Sequence, residues 1–205
     1  MFGVAFKEVQ PRWHHAAIIF SEADGKDLRL LHLGGHYDFA NDAYDPTYKM
    51  VLCPDFDELE LQLLAEQARR MWKKTGKRIA YNFDYDGSGA FDLDLSFLAA
   101  DGRGLTCATF VLAFFVRYGH QIVDATSWKF RPEDRRWQQI IFDALKSKLS
   151  PEHAARMFDN IGAAARFRPE EVVGCVNRYE GEPIGFAQGA QHGLDFMTEF
   201  HAAAN

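Results

Sequence analysis

Residues 15–33 read HAAIIFSEADGKDLRLLHL, two short apolar runs separated by acidic and glycine-bearing turn residues. The first run, His15 to Phe20, carries β-branched residues, and the second runs from Leu28 to Leu33. Such a pair predicts an antiparallel hairpin, with a connection too long for a tight two-residue turn to fix the register. Working outward, Tyr48 to Cys53 (YKMVLC) is a third strand candidate, ended by Pro54. Asp55 to Lys74 predicts a helix: Asp55 or Asp57 can cap it, acidic residues crowd its start, and Arg69, Arg70, Lys73 and Lys74 crowd its end. Ile79 to Phe83 and Phe91 to Phe97 are short strand candidates on either side of the loop DYDGSGAFD.

Downstream the pattern turns helical. ADGRGLT leads into CATFVLAFFVRYG, where Thr106 can act as N-cap. The apolar residues lack strict alternation, which favours a buried helix of about three turns ending at Gly119, with a buried strand as the competing reading. Helices are expected from about Pro132 to Leu149, from Pro151 to Met157 behind a Ser150 cap, and from Pro169 to near Gly174. The remaining C-terminal stretch gives weak signals. These elements define an α+β class: a small antiparallel sheet packed against the cysteine-bearing helix, with additional helices. The expectation is a single domain over 1–205, in which 132–205 can form a helical C-terminal extension.

Composition narrows the classes. A chain of 205 residues with 47% apolar and 25% charged side chains can bury about 70% of its extended surface without a metal or disulfide staple. The formal charge of −6 disfavours nucleic acid as the main partner. Cys53, Cys107 and Cys175 are too few for a disulfide framework and fit a reducing compartment. The longest apolar run is about half of a bilayer crossing, and MFGVAFKEVQPRWHH lacks the apolar core of a signal peptide. The expectation is a cytoplasmic protein with no transmembrane segment, with export by a signal-independent route left open.

Cys107 is the residue whose setting carries chemistry. A cysteine in the first turn of a helix meets unpaired N–H groups and the positive end of the dipole, which favour a thiolate. In GRGLTCATF the glycines can let the chain pass close to a substrate, and the surrounding N–H groups can form an oxyanion site. The competing reading is a buried core thiol. Cys53 reads as a strand-end core residue, and Cys175 lacks a comparable setting. A thiolate catalyst needs an imidazole oriented by a third polar group. Alternation sends His14 and His15 to opposite faces of the first strand, and His32 can lie beside that strand on the second.

The motifs His15-Ala16-Ala17-Ile18-Ile19, Leu30-Leu31-His32-Leu33 and Thr106-Cys107-Ala108-Thr109-Phe110-Val111 resemble the circularly permuted papain-like families. These include lecithin retinol acyltransferase-like proteins and permuted relatives of bacterial cell-wall cysteine peptidases. Histidine precedes cysteine in them, the reverse of papain's order. The matching motifs span about half of the chain, from Arg12 to Gly119. The resemblance implies Cys107 as nucleophile, His15 as general base, His32 as its orienting partner, and His14 as the alternative base. Trp13, Gly104 and Thr106 are candidates for the substrate groove. The implied activity is a thiol-dependent hydrolase or acyltransferase that cleaves an amide, peptide or ester bond through a thioester. Its substrate would be a peptide, a protein tail or a lipid acyl group. The alternative is a noncatalytic binding or structural protein of the same architecture.

No cofactor or metal is expected, since neither CxxC nor HExxH spacing occurs. Asp84 to Gly89 looks briefly like a calcium loop but lacks the later glutamate and the flanking helices, so a solvated turn is expected there.

Overall fold

The computed structural model describes residues 1–22, 25–76, 78–98 and 102–203. Parts of the first hairpin connection (23–24) and of the ADGRGLT stretch (100–101) lie outside these residues. Strands β1 (Phe2–Gln10), β2 (Trp13–Ser21), β3 (Leu28–Gly35), β4 (Asp38–Ala43) and β5 (Lys49–Val51) form one antiparallel sheet in the order β4-β3-β2-β1-β5. Six α-helices are described: α1 (Glu58–Thr75), α2 (Cys107–Arg117), α3 (Asp134–Leu145), α4 (Pro151–Asp159), α5 (Pro169–Asn177) and α6 (Phe186–Ala202). Fold class is therefore α+β, with the expected β2–β3 hairpin at its centre.

Alternation sorts the strand residues between two faces. Phe2, Val4, Phe6, Ala16, Ile18, Phe20, Leu31 and Leu33 join the main core with the helices, whereas Ala5, Ala17, Ile19 and Leu30 form a second cluster beneath Tyr44, Tyr48 and Met50. Both faces are covered, which explains why β2 reads as an almost unbroken apolar run. Helix α2 lies on β2 and β3 and is buried around its whole circumference from Cys107 to Phe115. Thr106 caps it as expected, accepting from the Thr109 N–H, while the Thr109 hydroxyl accepts from the Thr106 N–H.

Three expectations need correction. Residues 79–83 are not a strand: the Ala80 carbonyl accepts from Leu105 N–H, the Tyr81 N–H donates to His36, and the Tyr81 carbonyl meets His153 Nε2. Side chains and a crossing segment satisfy these groups, so no ladder is needed. Phe91 to Phe97 is a tight turn closed by a single bridge. The weak C-terminal stretch contains α6, whose glycines lowered its helical signal. They are required by contact with α5: a Cβ on Gly193 would lie 2.9 Å from Glu171 Cγ, and one on Gly189 would lie 3.1 Å from Cys175 Sγ.

Candidate active site

Cys107 occupies the first turn of α2, where its sulfur meets the edge of the paired part of the sheet. The β2–β3 ladder runs from Ser21↔Leu28 to Ile18↔Leu31 and then ends. Beyond that point the Ala16 N–H, together with the N–H groups of Cys107 and Ala108, stabilises the anionic form of the Cys107 sulfur. The sulfur thus lies beside the peptide that joins His15 to Ala16. Arg166 adds a favourable positive field.

These groups do not win. Burial pushes the Cys107 thiol above its ordinary range, outweighing the N–H donors and Arg166. The expected thiolate at the helix start is corrected accordingly: a dipole and three donors do not replace the hydration lost at a residue 9% exposed. Cys53, Cys107 and Cys175 are all free and buried.

His15 and His32 do meet. His15 Nε2 lies 3.1 Å from His32 Nδ1, with the rings perpendicular. His32 Nε2 in turn lies 3.0 Å from Asp42 Oδ2 on β4. The carboxylate can only accept, so His32 carries its proton on Nε2 and accepts from the His15 Nε2–H. His15 Nδ1 is left with a lone pair, which is the state a general base requires. Burial, and secondarily Lys7, lowers the His15 pKa to about 4. Burial and the neighbouring His15 lower that of His32, against the opposing pull of Asp42. Tyr48 lies against His15 with ring centroids 6.2 Å apart, and its hydroxyl pKa is raised to about 12 by burial and then by Cys107.

The full constellation is only partly assembled. His15 and His32 project from the sheet face opposite α2, and among the described residues no hydrogen bond joins Cys107 to an imidazole. The alternative base, His14, projects toward the helices, where Glu170 Oε2 holds its Nδ1 at 2.7 Å and its Nε2 has no hydrogen-bond partner. The groove candidates also separate. Thr106 is buried as a cap. Gly104 and Leu105 line a cavity of about 170 Å³ with Asp84, Tyr85 and Phe97, whereas Trp13 lines another of about 590 Å³. Gly104 is needed for a close approach to protein backbone, not to substrate: a Cβ there would lie 2.4 Å from the Asn82 nitrogen.

Asp42 was not anticipated, because β4 (DFANDA) alternates too weakly to announce a strand. Its one sequence signal is an acidic residue shortly after His32. Asp86 in the loop 84–89 accepts from the Ser88 N–H at 2.9 Å, and among the described residues no group of three or more His, Cys, Asp or Glu is arranged to hold a metal ion. No described helix is long and apolar enough to cross a membrane. Comparison with protein-family models, curated proteins and solved structures finds no match.

Proposed function

We propose that the chain is a thiol-dependent hydrolase or acyltransferase of permuted papain-like architecture, acting on an amide, peptide or ester carbonyl. The observation that carries the reading is the relay His15–His32–Asp42, with spacings of 3.1 and 3.0 Å, set beside the peptide bond whose N–H serves the Cys107 sulfur. An imidazole takes the thiol proton as the sulfur attacks the acyl carbon: His15 by the motif resemblance, with His14, which lies on the α2 side of the sheet with Glu170 on its Nδ1, as the alternative. A C–S bond forms, the leaving group departs with the proton returned by that imidazole, and a thioester remains. Water then releases the acid, or an amine or alcohol takes the acyl group, and Cys107 regains its proton. The N–H groups of Cys107 and Ala108 suit the developing oxyanion.

The directions of the pKa shifts favour a resting pair in which thiol and imidazole are both neutral, so the proton moves during attack rather than before it. One observation favours a second reading, a noncatalytic domain: Cys107 is 9% exposed and makes no hydrogen bond to an imidazole. Alkylation separates the two. With iodoacetamide at neutral pH, Cys107 is expected to react before Cys53 and Cys175, and His15→Gln is expected to slow it selectively. Equal, slow labelling of all three thiols would support the noncatalytic reading.

A further inference from the structure

A second cavity, of about 590 Å³, opens between the β1–β2 turn, the start of α3, the segment leading into α5 and the end of α6. Two of its lining residues carry a buried nitrogen with no hydrogen-bond partner: His14 Nε2 and Arg166 Nε. Their side chains are 9% and 10% exposed. A buried donor without an acceptor is costly, and a guanidinium cannot shed its proton to escape that cost.

The charges around the cavity are unevenly matched. Asp134 binds Arg166 at 3.1 Å and Arg168 at 2.9 Å, and Glu133 lies 3.4 Å from Arg168. Glu170 holds His14 Nδ1, and Glu8 lies 3.6 Å from His14 Nε2 and 3.4 Å from His201. Every lining carboxylate is therefore engaged. Arg12 and Arg136 are exposed on the same lining and form no ion pair among the described residues. The Arg166 guanidinium carbon lies 3.9 Å from the centre of the Trp137 ring, which restrains the side chain.

We propose that this cavity binds an oxyanion, the carboxylate or phosphate group of a small ligand, with Arg166 Nε–H as its buried donor and Arg12 and Arg136 as its rim. The lining contains neither the thiol nor the His15–His32 pair, although it shares Arg166 with the field at Cys107 and includes His14 and Trp13.

Isothermal titration of the full chain with inorganic phosphate and, separately, with succinate tests it, at fixed ionic strength against a sodium chloride control. Saturable heat with at least one probe is expected, and which one saturates distinguishes phosphate from carboxylate. The double variant Arg12→Ala/Arg136→Ala, altered only at exposed positions, is expected to bind roughly tenfold more weakly or worse. Arg166→Lys, which keeps the charge but loses the planar N–H, is expected to abolish saturation. Should that variant fail to fold, the surface double variant decides. No saturation with either probe, or unchanged affinity in the double variant, overturns the site.

Discussion

Asp42 settles the direction of the relay, because its carboxylate can only accept a proton from His32. Replacing it with Ala leaves both imidazoles free to adopt the wrong tautomer, and a general-base contribution of about 10²–10⁴-fold is at stake. Asp42→Ala is therefore expected to reduce Cys107 acylation by roughly tenfold or more. Its exposed carboxylate makes little difference to folding, so the melting temperature should stay nearly constant. Equal acylation rates in Asp42→Ala and the wild type would leave the carboxylate without a catalytic part. Cys107, His15 and His32 were legible as single residues, since a helix-start thiol and two histidines on paired strands are local patterns. Asp42 and Glu170 were not, because what gives each its role is a partner 10 or 156 residues away.

The elements were legible where one local signal dominates. Helices α1, α2 and α4 begin at the capping residues Asp57, Thr106 and Ser150, each accepting from a backbone N–H of the first turn. Thr106→Ala is expected to cost about 1 kcal/mol in denaturant unfolding, and Thr106→Ser to restore most of it. Strand β1 was missed although Phe2, Val4 and Phe6 alternate with Gly3, Ala5 and Lys7, because two of its outward residues are small and its inner face needs β2 to give it meaning. Helix α6 was missed for a related reason: the residues that weaken it as an isolated helix make its contact with α5 possible. Gly193→Ala tests that account. A better helix former there is expected to destabilise the protein, since the new methyl meets both the side chain and the backbone of Glu171. A rise in melting temperature would show that propensity outweighs packing at this seam.

Across the whole molecule, the later helices and the segments between them are tied together by charge as well as by apolar contact. Asp134, 1% exposed, holds Arg131, Arg166 and Arg168, while Arg131 also grips Glu171 on α5. Asp134→Ala leaves several buried guanidinium groups poorly matched and is expected to cost about 3–5 kcal/mol, read by urea unfolding. Stability is also expected to depend on pH through His15. Its folded pKa of about 4 lies below the unfolded value of 6.5, so the unfolded chain takes up the proton first as pH falls. That part of the stability is complete above pH 6.5 and is lost as pH drops toward 4, by up to about 3 kcal/mol. His15→Gln should flatten this slope, and an unchanged slope would place the titrating group elsewhere. The most direct test of the account is intact-mass and peptide mapping of the full chain after brief exposure to an activated ester. An acyl adduct on Cys107, formed roughly 100-fold more slowly in His15→Gln, is the expected result. An adduct on Cys53 or Cys175 instead, or formation at the same rate without the His15 imidazole, would contradict it.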